Sequence, residues 1–366
     1  YQKTFFGKLT RSLTKNCSSF NSKKFLAAVK SRGWTELPLL ERKKKITVTM
    51  HKFLPKNYED AIEIIKPVAE TFPRGSFEGL VFPYYVQKYG LEDLDLSLDA
   101  LKFLTPYSSS EMAIRPFIME YEDETMERML EWADDEDDAV RRLASEGCRP
   151  RLPWAPALPA FKRDPSPIIP ILEKLRTDES LYVRKSVANN LNDISKDHPE
   201  LVLELARKWK GSHKHTDWIL KQACRTLLKA GNAKALEIFG WTNVDTFLIS
   251  NFKVSPKTTT IGDSISMKFS LTNTDPNDMH SFRVEYGIYY VKSNGSANRK
   301  IFQLAQKEIE SEETVDFQKK ISFKQLSTRV HYPGKHKIVL VINGKESSSC
   351  TINLKEQTLL LSLFIY

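Results

Sequence analysis

Between Arg141 and Trp154 the chain reads RRLASEGCRPRLPW, which gathers one glutamate, four arginines, two prolines and a tryptophan at one helix end and its exit. A carboxylate held among cations beside an indole could bind a cation or a nucleobase against an aromatic wall. The spacing says which side chains would act together. Val140, Leu143, Ala144 and Gly147 follow the i, i+3, i+4, i+7 rule of a buried helix face, so Arg142 and Glu146 project together from one polar stripe. In a second segment Val183, Val187, Leu191 and Ile194 form the buried side, which leaves Lys185, Asn189, Asn192 and Asp193 on a corresponding stripe. A plainer reading competes: an i,i+4 ion pair on a solvated helix contributes only about 0.2–0.5 kcal/mol and is common, and Trp154 could simply pack under a helix edge. The exit of the helix asks for more than that. Gly147 suits a helix C-terminus, and Pro150 and Pro153 predict an extended RPRLPW that fixes where Arg149, Arg151 and Trp154 point.

Side chains used this way need a rigid scaffold, and the hydrophobic periodicity describes one. Before residue 245 the apolar residues recur at helical spacing, as in YEDAIEIIKPVAE and PELVLELARKW. AVRRLASE (139–146), YVRKSVAN (182–189) and WILKQACRTLLKAG (218–231) repeat at intervals of 43 and then roughly 37 residues, the period of HEAT-like helix pairs stacked into a solenoid. Beyond the change, SISMKFSL, FRVEYGIYYV and KHKIVLVI are β-forming runs set between the turn signals NTDPND, SNGS, YPG and NGK. About seven short strands in roughly a hundred residues point to an immunoglobulin-like β-sandwich, without the cysteine and tryptophan hallmarks of antibody domains. The expected fold is therefore multidomain, α then β: a HEAT-like solenoid over residues 1–242, a sandwich over 246–356, and a tail or last strand over 357–366.

Composition sets the outer limits. A chain of 366 residues that is 41% hydrophobic can build two or three cores. The 55 lysines and arginines against 46 acids leave a formal charge of +9, which favours an anionic partner, nucleic acid among the candidates. Cys17, Cys148, Cys224 and Cys350 are scattered and form no CxxC pair, so neither a zinc site nor a disulfide framework is expected, and a reducing cytoplasm fits. His213 and His215 with Cys224 make no established zinc spacing. No signal peptide opens the sequence, and the apolar run LLLSLFIY is too short to cross a bilayer, so a soluble chain with no membrane partner is expected.

The segments SSSEMAIRPFI, ASEGCRPRLPW, DPSPIIPILEKL and YVRKSVANNLNDISKDHPEL resemble the bacterial DNA alkylation repair glycosylases of the AlkC type, a HEAT-like repeat family in which a subset carries a C-terminal immunoglobulin-like domain. The resemblance covers most of residues 20 to 240 and departs at Gln222, where the family usually has histidine. It implies a monofunctional N-glycosylase that removes cationic alkylated bases of the 3-methyladenine and 3-methylcytosine class from double-stranded DNA, with no cofactor and no metal, leaving an abasic site. It also implies a monomer in the bacterial cytoplasm, at the nucleoid during repair.

Carried over by position, Glu111, Glu146 and Asp193 match the active-site carboxylates and Trp154 the aromatic wall that stacks on the lesion. Glu111 has a competing role, since an acid just after SSS sits where a helix N-terminus welcomes negative charge. Arg142, Arg149, Arg151, Arg184 and Lys185 lie in or beside the polar stripes, where they are expected to hold phosphates on either side of the lesion. Arg299, Lys300, Lys319, Lys320 and Lys324 of the sandwich suit a second grip on the duplex. Two other classes stay open: a non-catalytic HEAT-repeat scaffold whose acidic run EWADDEDDA meets a protein partner, and a protein that binds alkylated DNA without excising the base.

Overall fold

A computed structural model of the chain describes residues 1–31, 33–241, 246–327 and 329–356. The LLLSLFIY segment, expected as a tail or last strand, lies outside the described residues. Two compact units are present, one of Tyr1–Cys224 and one from Arg225 onward.

The first unit is helical: α1 (Lys3–Asn16), α2 (Ser22–Val29), α3 (Leu39–His51), α4 (Tyr58–Glu70), α5 (Val81–Tyr89), α6 (Leu94–Leu104), α7 (Arg115–Glu120), α8 (Glu122–Trp132), α9 (Asp138–Gly147), α10 (Pro159–Arg163), α11 (Ile169–Leu175), α12 (Leu181–Ile194), α13 (Pro199–Trp209) and α14 (Lys214–Ala223). Helix α8 packs on α9, α11 on α12 and α13 on α14, while α9, α12 and α14 lie side by side, which is the stacking of helix pairs expected of the repeats. The repeat has a visible cause. Arg141 in α9 donates through Nη1 to the carbonyls of Asp135 and Glu136, and Arg184, at the equivalent place in α12, donates to those of Asp178 and Glu179. Each arginine thus ties its own helix to the turn that precedes it, satisfying carbonyls that no helix serves. Asp137 caps α9 by accepting from the Ala139 amide at 2.9 Å and also pairs with Arg74 at 2.7 Å. The acidic run is used internally in the same way: Asp134 meets Lys174, and Asp135 meets Lys102.

The second unit opens with two short helices, α15 (Arg225–Lys229) and α16 (Ala233–Ile238), and continues as eight strands: β1 (Phe247–Ser255), β2 (Thr258–Thr260), β3 (Ser264–Asn273), β4 (His280–Val291), β5 (Ala297–Ile309), β6 (Thr314–Ser322), β7 (Gly334–Ile342) and β8 (Lys345–Lys355). They form a three-stranded sheet, β1-β3-β6, and a five-stranded sheet, β2-β8-β7-β4-β5, antiparallel except for the β2–β8 pair. Ile265, Met267, Phe269 and Leu271 of one sheet share an apolar core with Phe282, Val284, Ile288, Ile338 and Leu340 of the other, as an immunoglobulin-like sandwich requires. The opposite face of β4 is covered too. Arg283 and Glu285 pair there at 2.6 Å with almost no exposure, and the Arg283 guanidinium lies 5.1 Å over the Trp241 ring. Close approach of Gly231 to Gly344 fixes the segment of α15 and α16 on the sheet: a Cβ on Gly344 would come within 2.7 Å of Leu236 and 3.0 Å of Gly231. These helices therefore travel with the sandwich, although the periodicity alone grouped them with the solenoid that was expected to run to residue 242.

Candidate active site

Glu146 is on the last turn of α9 and Asp193 on the last turn of α12, two helices that pack against each other. Both carboxylates are buried, at 5% and 3% exposure. Buried charge needs a counter-charge, and Arg149 provides it. Its Nη1 donates to Glu146 at 2.6 Å, and its Nε and Nη2 reach the same Asp193 oxygen at 2.9 and 2.8 Å. Lys196 holds the other Asp193 oxygen at 2.8 Å. Glu111 comes from the turn that precedes α7; it accepts from Ser109 at 2.9 Å and from Arg142 at 2.6 Å, and Arg142 also approaches Glu146 at 3.5 Å. The Arg142 guanidinium lies 4.4 Å over the ring of Tyr182. Burial works against the charges of Arg142 and Arg149, yet the carboxylates outweigh it and hold both pKa values above the ordinary arginine range. Three acids thus face Arg142, Arg149 and Lys196, a cluster whose formal charges balance.

A second framework fixes the loop after α9. Arg115 is fully buried with no carboxylate beside it, and it donates to the carbonyls of Gly147 (2.9 Å), Arg149 (2.8 Å) and Pro156 (2.9 and 2.6 Å). Burial lowers its pKa to about 10, which still leaves it cationic at neutral pH. The clamp gathers both ends of the loop, and the Leu158 amide bonds the Pro150 carbonyl at 3.1 Å. RPRLPW is therefore a series of turns rather than the extended run expected from its prolines, because proline also suits the second position of a tight turn. Trp154 takes φ of +63° and is 74% exposed. Such a backbone costs a tryptophan about 1–3 kcal/mol, and it persists only where the surroundings impose it. Gly147 permits the close approach of α9 to the Glu111 segment, since a Cβ there would sit 2.6 Å from Ile114.

Residues 106–227 match the family described as DNA alkylation repair enzyme, and residues 248–356 match the C-terminal Ig-like domain of the uncharacterised protein YhaZ. The uncharacterized protein YhaZ of Bacillus subtilis (strain 168) is 42% identical over 349 residues, covering 95% of this chain and 96% of that one. The alkylpurine DNA glycosylase AlkC of Pseudomonas fluorescens, solved bound to DNA containing an abasic site analog, is 36% identical and superposes with a TM-score of 0.92 over 96% of this chain and 97% of its own. The chain belongs to the AlkC-like DNA alkylation repair family. Its Ig-like domain is of the YhaZ type.

Within this family member, the expected site residues fall into two groups. Glu111, Arg142, Glu146, Arg149 and Asp193 form one connected cluster, and Trp154 stands on the loop clamped beside it. The competing cap role of Glu111 is not realised, because α7 has no side-chain cap. The expected phosphate-holding arginines are placed otherwise. Arg149 is buried between two acids, since uncompensated carboxylates could not be buried together. Arg184 is spent on its own turn, and Arg151 pairs with Asp197 at 2.6 Å. Lys185 is exposed on α12. In the sandwich Arg299 pairs with Glu346 at 2.6 Å, while Lys300, Lys320 and Lys324 are exposed and Lys319 is half-buried. The HKH histidines have local uses: His213 caps α14, and His215 meets Glu179 at 3.1 Å. Among the described residues no group of three or more His, Cys, Asp or Glu could hold a metal ion, and no helix is long and apolar enough to cross a membrane.

Two residues of the cluster carry no signal in the sequence pattern. Arg115 stands in SSSEMAIRPFI, but its burial cannot be inferred from spacing. Tyr182 is the second residue of α12 and is 46% exposed; an aromatic in the first turn of a repeat helix reads as core until its partner Arg142 is known.

Proposed function

We propose that the chain is a monofunctional DNA N-glycosylase that releases cationic alkylated bases of the 3-methyladenine and 3-methylcytosine class and leaves an abasic site. The observation that carries this reading is the convergence of Glu111, Glu146 and Asp193, from three separate segments, beside the outward-turned Trp154. Alkylation makes the base a cation. When the C1′–N bond breaks, its electron pair goes to the base, which leaves neutral, and positive charge grows on the sugar. A fixed carboxylate stabilises that oxocarbenium-like state and can take the proton of the water that attacks C1′. Trp154 favours a cationic ring over a neutral one by about 0.5–2 kcal/mol, so recognition and catalysis draw on the same charge. Double-stranded DNA carrying such lesions is the partner, met by a monomer in the cytoplasm.

Glu146→Gln and Asp193→Asn are expected to lower single-turnover base release from a 3-methyladenine duplex by about 10² or more, the scale of losing one preorganised charge. Near-parent release by both variants would remove the carboxylates from the chemistry. A second reading, lesion binding without excision, draws support from the arginines that already neutralise the acids. Measuring released base separately from duplex binding by the parent protein decides between them: tight lesion binding with no base released selects the second.

A further inference from the structure

The positive charge of the chain is not spread along it. The first 56 residues hold 14 lysines and arginines against two acids, Glu36 and Glu41, while the remaining 310 residues hold 41 against 44 and are net acidic. None of this N-terminal charge serves the carboxylate cluster, and it precedes the segment that matches the alkylation repair family. The use of cations also changes along the solenoid. Farther along, many of them meet acids, as Arg74 meets Asp137, Lys102 meets Asp135 and Arg151 meets Asp197. On α1 and α2, Arg11, Lys15, Lys23 and Lys24 are exposed and make no ion pair with any described residue.

Arg11 and Lys15 border an open groove lined by Gly7, Thr10, Thr14 and Ser22, which runs between α1 and the start of α2. No carboxylate lines it. Gly7 keeps its floor clear, since a Cβ there would meet nothing within 4 Å. Arg11 and Lys15, four apart, share one face of α1, and Lys23 and Lys24 open the neighbouring helix. An anionic membrane would also attract this charge, but a membrane-lying helix needs an apolar face to insert, and Phe5, Phe6, Leu9 and Leu13 of α1 are all buried in the solenoid. Unpaired cations around a polar groove, with no apolar surface, fit a polyanion whose charges recur at short intervals: a phosphodiester backbone.

We infer that the groove between α1 and α2 is a second phosphate-backbone site, which holds duplex DNA outside the lesion and is indifferent to sequence. The choice of duplex DNA as the polyanion rests on the glycosylase reading above. The test uses the full chain with Arg11→Glu/Lys15→Glu and, as a milder pair, Arg11→Gln/Lys15→Gln. Anisotropy titrations of a long undamaged duplex across a salt series are expected to show affinity at low salt falling roughly tenfold or more. The slope of log affinity against log salt becomes shallower by about 0.9 for each phosphate that the variant no longer neutralises. Thermal melting and single-turnover base release at saturating protein stay at parent values. Should the Glu pair melt early, the Gln pair, which removes the charge and keeps the bulk, carries the same slope measurement. Unchanged slope and affinity overturn the site. So does a Glu pair that binds duplex normally but loses binding to phosphatidylglycerol vesicles, which would make the groove a membrane-binding surface. A parent that releases no base yet loses salt-dependent binding in these variants sinks the glycosylase reading and leaves the site standing. A parent that excises while the slope stays fixed does the reverse.

Discussion

At the scale of single residues, burial sets what Arg149 does. A surface arginine on a phosphate would alter the salt dependence of DNA binding and little else. A guanidinium buried between Glu146 and Asp193 does something different: it makes their joint burial tolerable. Removing one member of such a buried pair costs about 3–5 kcal/mol. Arg149→Ala is therefore expected to lower Tm by several degrees and to depress excision, with the salt slope of duplex binding unchanged. Arg149→Lys keeps the charge but not the two-pronged fork, so it should recover part of the Tm and little of the activity. A shallower salt slope with an unchanged Tm would put Arg149 on the DNA backbone after all. The same geometry qualifies the acid variants. Asp193→Asn leaves Arg149 and Lys196 facing a neutral amide, so a loss of Tm should accompany its loss of base release. The types and positions of the three acids were legible in their motifs. Their burial was not, because an i,i+4 pattern gives a face and says nothing of what packs over it.

At the scale of elements, the equivalence of Arg141 and Arg184 separates repeat structure from function. Arg184 serves two carbonyls of its own turn, and leaving such groups unpaired costs about 1–3 kcal/mol. Arg184→Ala is expected to lower Tm without changing the salt slope, whereas Lys185→Ala, on an exposed position of the same helix, should leave stability within about 0.5 kcal/mol. A Tm unchanged in Arg184→Ala would contradict the assignment. In the sandwich, His336 on β7 is fully buried: one ring nitrogen accepts from the Val291 amide at 3.4 Å and the other donates to the Tyr332 carbonyl at 3.1 Å. Burial lowers its pKa, and the same cause, reinforced by Arg329, lowers that of the nearby His331. Protonation would set a new N–H against the Val291 N–H. Because the folded pKa values are depressed, the unfolded chain takes up the protons first. The stability these histidines contribute is complete above about pH 6.5 and is lost as the pH falls through the interval down to the folded values. Melting of the chain between pH 8 and pH 5 should therefore show an acid-side fall, and His336→Gln should flatten it. An equal fall in that variant would place the acid sensitivity elsewhere.

At the scale of the whole molecule, the division of the chain is set by packing rather than by secondary structure. The segment of α15, α16 and Trp241 packs on β4 and on the turn between β7 and β8, through Trp241 against Arg283, Leu236 against Gly344 and the close approach of Gly231 to Gly344, so a chain ending at Trp241 would carry these apolar surfaces without the sheet that covers them. A chain ending at Cys224 removes both together. Of the two truncated proteins, the one ending at Trp241 is expected to bind more of a hydrophobic dye and to aggregate sooner on heating. Equal solubility would mean that the two helices are stable against the solenoid alone. If the sandwich only tethers the duplex, the soluble truncated form should lose DNA affinity yet recover much of its single-turnover rate at saturating protein. Normal binding without cleavage would assign the sandwich a part in shaping the lesion.

The amino-acid sequence shows the classes of structure and their order, because hydrophobic periodicity is a local property: apolar residues at helical spacing must bury one face of a helix, and β-forming runs between turn signals must pair. It also carried the acids, the tryptophan and the family resemblance, since these are identities at fixed positions. How the charges are used follows from long-range packing. Four arginines lie within and just after α9, and each meets at least one carboxylate: Arg141 meets Asp178, Arg142 meets Glu111 and approaches Glu146, Arg149 bridges Glu146 to Asp193, and Arg151 meets Asp197. Apart from the short links to Glu146, these partners lie 31 to 46 residues away along the chain. Ion pairing depends on distance in space, and two residues that far apart are brought together by the stacking of repeats, which no local pattern encodes. The positive φ of Trp154 belongs to the same class, imposed by an arginine 39 residues earlier that clamps both ends of its loop.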